Sequence, residues 1–300
     1  MEFLTQLSKI INSGQSRSVV LTGNVNDLFF DGTSYVPLVS FLSKSYRLNP
    51  EGKKNGKTQL IYELNNSIRV VGDVKELSAI WDKYKGINTT ESFQELCDKS
   101  IGNSTLALEF LRQLTVCSRE AYKKCESHND LLIIIEAADF LIPEEKISSM
   151  SLHDRRRIAI IQDWFADLDF VHGPDSVILI TESKASLHSK ISTLPQVLSV
   201  EIPYPNSLER QKFIDWFCSL KNISSVPDSL ASNTAALSIY ALRQLMCSDL
   251  DSSRIMAKVE EYIISQLGED VVEFKKPTHK LDDVIGFTRV KNFIRNEMIP

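Results

Sequence analysis

The sequence contains no Cys-x-x-Cys pair, and its cysteines, Cys97, Cys117, Cys125, Cys218 and Cys247, are odd in number. Neither a disulfide framework nor a zinc pattern is legible, so a reducing cytosol, and hence a cytoplasmic protein, is the simpler reading. The histidines are scattered without ligand spacing, and no metal is expected. No apolar run approaches the roughly 20 residues of a membrane span. The start, Met1-Glu2-Phe3-Leu4-Thr5-Gln6, lacks the basic end and apolar core of a secretion signal. Without one, the Asn-x-Ser/Thr triplets at Asn65, Asn88, Asn103 and Asn222 are read as chance. Positive charge is short as well, with 34 Lys and Arg against 39 Asp and Glu. A net charge of −5 and no interleaving of aromatic with basic residues argue against a nucleic-acid surface.

What is present is an ordinary globular composition, 43% hydrophobic and 24% charged over 300 residues. That length suits two domains, or one α/β domain with a small appendage. The chain is organised around Leu131-Leu132-Ile133-Ile134-Ile135, an aliphatic run bounded by polar Ser127–Asp130. It reads as a strand buried on both faces, as in a parallel sheet covered by helices. Glu136 closes the run, at the strand end where open α/β sheets hold ligands.

Around it, Ser18–Thr22 is a short strand ending at Gly23, and 59–64 pairs with 67–72 as a hairpin through Asn65-Asn66. Further strands are expected over Ser176–Thr181, after the turn Gly173-Pro174-Asp175, and over 197–202. Helices are expected over 3–12, from Pro37 to about Arg47, and over about 74–85, 104–126, 152–168 and 208–220. Arg155-Arg156-Arg157 reads as a solvated first turn facing acids rather than as a patch for a partner. After Ser225 the pattern becomes helical without strands and stops at Gly268. The prediction is an α/β domain over 1–225, a mostly parallel sheet flanked by helices, then a small helical domain over 226–268.

Gly52-Lys53-Lys54-Asn55-Gly56-Lys57-Thr58 imitates a phosphate-binding loop, but three residues separate its glycines where four are needed. It also precedes a strand, so no helix N-terminus would receive a phosphate. A turn is the better reading.

The order of elements resembles an AAA+ module of the P-loop NTPase fold with a helical lid. In that family the central strand ends in Asp-Glu, the Asp holding the phosphate-bound Mg²⁺ and the Glu polarising water. Glu136 and Ala137 stand at those positions. Thr181-Glu182 is similar to the family's Thr-Asn sensor. Val200-Glu201-Ile202-Pro203-Tyr204-Pro205 and Leu208-Glu209-Arg210-Gln211 resemble its passage into the lid. Phe274 to Lys291, with Leu281-Asp282-Asp283-Val284-Ile285-Gly286 at its centre, resembles the opening of a second AAA domain. Alone, the central strand fits any doubly wound domain; the C-terminal passage favours the AAA+ reading.

The departures fall on the catalytic parts. The loop after the first strand, Gly23-Asn24-Val25-Asn26-Asp27, has no Lys and no phosphate-loop glycine spacing. Ala137 and Glu182 replace the catalytic Glu and the sensor Asn, and no Arg lies between Lys184 and Arg210, where arginine fingers belong. The resemblance then implies a degenerate Walker B position at Glu136 and a degenerate phosphate loop at Gly23, Asn24 and Asp27, with no catalytic residue. It implies an N-terminal pseudo-ATPase domain of a tandem AAA+ protein-remodelling ATPase, with 269–300 as the start of the second domain. ATP and Mg²⁺ would be bound by that second domain. Expected partners are that domain, further copies of the chain in a homo-oligomer, and a protein substrate or adaptor. A non-hydrolysing scaffold of clamp-loader type and an ATPase with an atypical phosphate loop are the alternatives. Glu136 itself is expected to be structural, held by hydrogen bonds from backbone N–H groups or the Gly23–Asp27 loop.

Overall fold

The structure, a computed structural model, describes residues 2–47, 57–124, 126, 129–146, 148–223, 230–235, 237–247, 257, 283 and 286–293. It divides into two units, Met1–Phe213 with Ala236–Ala241, and Ile214–Ala235 with Leu242–Pro300.

The first unit begins with α1 (Glu2–Ser13), β1 (Ser18–Gly23), a small hairpin of β2 (Leu28–Phe30) and β3 (Tyr35–Pro37), and α2 (Leu38–Arg47). It continues with β4 (Thr58–Tyr62), β5 (Arg69–Val71), α3 (Val74–Tyr84), α4 (Phe93–Lys99) and α5 (Ser104–Lys123). Then come β6 (Leu131–Ile135), α6 (Ala138–Leu141), α7 (Leu152–Ala166), α8 (Leu168–Val171), β7 (Ser176–Ile180), α9 (Ser189–Ser192) and β8 (Val197–Ile202). Helices α10 (Ser207–Lys221), α11 (Leu230–Asn233), α12 (Ile239–Cys247) and α13 (Thr288–Phe293) follow, and α11 and α13 lie wholly in the second unit.

The main sheet has the order β5-β4-β6-β7-β1-β8 and is parallel except for β5, which pairs antiparallel with β4. A mostly parallel sheet flanked by helices is what the aliphatic runs predict. In β6 the side chains alternate between faces. Leu131, Ile133 and Ile135 pack with Trp81, Phe110, Leu111, Ile161 and Phe165 from the α3–α7 side. Leu132 and Ile134 pack with Phe3, Leu7, Phe41 and Leu42 from α1 and α2. The connection leaving β1 therefore runs over one face and that leaving β6 over the other. The C-terminal ends of these strands form a crevice of the kind in which open sheets hold ligands.

Several expectations shift. Pro37 closes β3 and the helix starts at Leu38. The β2–β3 hairpin and α4 were not anticipated. Yet α4 carries a complete capping box, with Ser92 Oγ accepting from Glu95 N–H and the Glu95 carboxylate accepting from Ser92 N–H. In the basic run, Arg156 pairs with Glu109 and Arg157 with Asp154, but Arg157 also donates to Leu141 O at 2.8 Å and is largely buried. Residues 52–56 of the phosphate-loop look-alike lie outside the described residues, and Thr58 opens β4. Most of the expected helical region 226–268 and of 269–300 also lies outside them; Val290 and Lys291 are in α13.

At the opposite end of the sheet from the crevice, Asp175 precedes β7 and is buried. One oxygen accepts from Leu131 N–H at 2.8 Å, at the start of β6. Lys57, just before β4, donates to Pro174 O at 3.0 Å and pairs with Asp130 at 3.4 Å. Arg17, just before β1, donates to Ile11 O at 3.0 Å. Burial pushes the Asp175 carboxyl up to about 6, against the pull of Leu131 N–H, the Ser118 hydroxyl and Lys57. Because the native state then binds the proton more tightly than the unfolded chain, this group adds stability at low pH and loses it as pH rises through about 6. Asp175→Asn removes the titration. Between pH 4 and 7 the stability difference should move in favour of Asp175→Asn by roughly 1–3 kcal/mol, measured by urea denaturation; parallel pH curves would contradict it.

Candidate functional site

The crevice at the ends of β1, β4, β6 and β7 encloses about 520 Å³. Its lining includes Asn26, Asp27, Glu63, Arg69, Glu136, Asp139, Thr181, Glu182 and Tyr240. Asp27 and Glu136, both picked out by sequence, meet here; Gly23 and Asn24 are not part of the lining.

The loop after β1 is stitched to its neighbours by its own backbone. Gly23 N–H donates to Glu182 O at 2.9 Å, Asn24 N–H to Ile202 O at 2.9 Å, and Val25 N–H to Gly23 O at 2.7 Å. In a phosphate loop, N–H groups beyond the strand point at the ligand. Here three successive ones already have carbonyl acceptors. Gly23 has φ +85°, and a Cβ on it would lie 2.5 Å from Ile202 O, so the loop lies directly against the end of β8.

Side chains complete the stitching. Asn24 Nδ2 donates to Asp27 Oδ2 at 2.7 Å, and Asn26 Nδ2 to Glu182 Oε1 at 2.6 Å. Asp27 accepts further from Leu28 N–H at 2.8 Å, Ile239 N–H at 2.9 Å and Tyr240 N–H at 2.7 Å. Thr181 is buried, with its N–H on Leu21 O at 3.1 Å.

Glu136 departs from expectation. Its N–H donates to Tyr62 O at 3.0 Å, which fixes the strand end. Its side chain is half-buried and receives no hydrogen bond from the Gly23–Asp27 loop, whose polar side chains are engaged elsewhere. Instead it faces Glu63, which is paired with Arg69 and bonded by Asn66. Burial first, then the Glu63 charge, pushes the Glu136 carboxyl above its ordinary value, with Arg69 offsetting part of the effect. Ala137, next in the chain, takes a left-handed conformation (φ 49°, ψ 49°) to turn the chain into α6. That conformation costs an L-residue roughly 1–2 kcal/mol.

The arrangement does not fit Mg·ATP. Among the described residues, Asp27, Glu63, Glu136, Asp139 and Glu182 line the crevice against one cation, Arg69, itself paired with Glu63. Like charges about 5 Å apart at an effective dielectric of about 20 repel by roughly 3 kcal/mol. A triphosphate would meet that cost repeatedly, and no Lys of the described residues lines the crevice to offset it. Among the described residues, no group of three His, Cys, Asp or Glu is placed to hold a metal ion.

A family model described as AAA+ chaperone, N-terminal Rossmann-like domain, matches residues 2–203. The chain belongs to this family. The match spans β1 through β8, so all four strand ends that form the crevice belong to the AAA+ chaperone N-terminal domain. No curated protein matches the chain. Among solved structures, a chain from the E. coli MS115-1 HORMA:CdnC:Trip13 complex is similar over 90% of this chain and 74% of its own, at 13% identity and a TM-score of 0.43. That likeness is too slight to bear on fold or function. Among the described residues of this AAA+ chaperone domain, no helix is long and apolar enough to cross a membrane.

Sequence reasoning missed Arg69, Asp139 and Tyr240 in the lining. The expected hairpin contained the signal for Glu63 and Arg69, because its turn brings them to one side. The capping of Ile239 and Tyr240 by Asp27 spans more than 200 residues of chain, and no local pattern announces it.

Two substitutions test this geometry. Gly23→Ala should destabilise by more than about 1 kcal/mol, since the left-handed φ and the Ile202 carbonyl both oppose a Cβ; a neutral result in chemical denaturation would contradict the close approach. Glu136→Gln should raise the denaturation midpoint at neutral pH, by less than about 1 kcal/mol given its partial exposure. Its native carboxyl holds its proton more tightly than in the unfolded chain, so the gain should shrink on acidification. A midpoint lowered by Glu136→Gln at pH 7 would count against carboxylate repulsion.

Proposed function

We propose that this AAA+ chaperone N-terminal domain is non-catalytic and serves an ATP-driven protein-remodelling ATPase in ring assembly, in regulation, or as the dock for a protein substrate or adaptor. The observation that carries the reading is the engaged loop after β1. Gly23, Asn24 and Val25 direct their N–H groups at Glu182 O, Ile202 O and Gly23 O, so the chain leaving β1 is bound to its own neighbours. Ala137 in place of a catalytic Glu and the acidic crevice support it. In this proposal Gly23, Asn24 and Asp27 are relics of a nucleotide site that now hold the fold together, and Glu136 is a relic whose charge is left facing Glu63. ATP and Mg²⁺ act in a second AAA domain, to which the passage 274–291 is the entrance. Copies of the chain assemble around that second domain in a cytoplasmic homo-oligomer.

The test is steady-state phosphate release from ATP with Mg²⁺ by the 300-residue chain. No turnover above the blank is expected, and Mg·ATP should leave the thermal midpoint unchanged, since a ligand stabilises only by binding the native state. Turnover that follows the purified protein and disappears in Glu136→Gln would overturn the proposal.

A further inference from the structure

Asp27 differs from the other carboxylates at the crevice in being almost wholly buried, at 3% exposure, with hydrogen bonds on both oxygens. Four donors converge on it: Asn24 Nδ2 and Ile239 N–H on Oδ2, Leu28 N–H and Tyr240 N–H on Oδ1. Three are backbone groups, and two of those open α12. All of these residues belong to the first unit.

Helices leave their first N–H groups without intrahelical partners and commonly satisfy them with the residue just before the helix. Helix α12 has such a residue, because Ser238 Oγ accepts from Ala241 N–H at 3.1 Å. Asp27 adds a second acceptor from far upstream, on the two N–H groups Ser238 does not reach. A carboxylate ringed by backbone N–H groups, two of them at a helix start, has the same chemistry as an oxyanion held at a helix N-terminus.

We infer that Asp27 is an internal anion: it fills the donor nest formed by Leu28, Ile239 and Tyr240, closes that nest to any external anion, and latches residues 237–241 onto the loop after β1. This deepens the non-catalytic reading, on which it rests for its meaning, by naming the group that makes the segment's position independent of ligand. The latch needs no nucleotide because the negative charge is part of the chain. An external oxyanion can enter the nest only if Asp27 is removed.

The experiment uses the 300-residue chain as wild type, Asp27→Ala and Asp27→Asn. It reads amide hydrogen exchange at Ile239 and Tyr240 against Ile133 in β6, and the thermal midpoint in inorganic phosphate against chloride at equal ionic strength. Asp27→Ala should speed exchange at both amides about tenfold or more relative to Ile133, the scale of a lost charge-assisted hydrogen bond. Phosphate should slow that exchange and raise the variant's midpoint while leaving the wild type unmoved. Asp27→Asn, which keeps one acceptor oxygen, should fall between the two, and it carries the test if Asp27→Ala does not fold. Unchanged exchange at Ile239 and Tyr240 in the folded variants overturns the latch. Faster exchange with no phosphate response, or a response equal in wild type and variant, reduces Asp27 to a simple cap and overturns the internal-anion assignment. Neither failure would restore hydrolysis, so the outcome is separate from that of the phosphate-release assay.

Discussion

A buried backbone N–H without an acceptor costs about 1–3 kcal/mol, and the end of β1 has several to satisfy. In a nucleotide-binding member of this fold the phosphates would supply the acceptors. Here the chain supplies them: Glu182 O takes Gly23 N–H, Ile202 O takes Asn24 N–H, and the Asp27 carboxylate takes Leu28 N–H. Much of the crevice follows from these bonds. Gly23 must be glycine because β8 closes against it, Glu182 is drawn in by Asn26, and Asp27 has donors on both of its oxygens.

The sheet makes such self-sufficiency affordable. Its central strands are aliphatic on both faces, and a single large-to-small change in such a core costs about 2–5 kcal/mol. The fold is therefore fixed by β1, β6 and β7 and their two flanking layers, and the strand ends carry little of that load. The residues at the strand ends, Glu136, Ala137 and Thr181-Glu182, can therefore vary without losing the architecture of the AAA+ chaperone domain over residues 2–203. Among the described residues, the crevice is a carboxylate-rich surface whose one Arg is already paired.

The sequence disclosed those parts of the fold whose signals are local. The Leu131–Ile135 run, the 197–202 strand and the hairpin through Asn65-Asn66 are set by burial on known faces, and the structure places them within two residues of expectation. The β2 and β3 strands, three residues each, are too short for periodicity to register. Helix α4 was legible in Ser92 and Glu95 but is only two turns long. At the site, the missing Lys of the loop is read from the sequence alone, whereas its hydrogen-bond partners come from Glu182 beyond β7, from β8 and from α12. The expectation that this loop holds Glu136 failed for that reason, since its polar groups meet nearer acceptors and Glu136 is left facing Glu63.

The central claim, that the chain has replaced a nucleotide with its own atoms at the end of β1, is tested most directly by following backbone amide resonances while Mg·ATP is added. The amides of Gly23, Asn24, Val25 and Leu28 should keep their chemical shifts to saturating nucleotide, because each already donates to a carbonyl or carboxylate within the chain. Saturable shifts concentrated on those four amides and on Glu136 would show that nucleotide still enters the crevice, and would contradict the account.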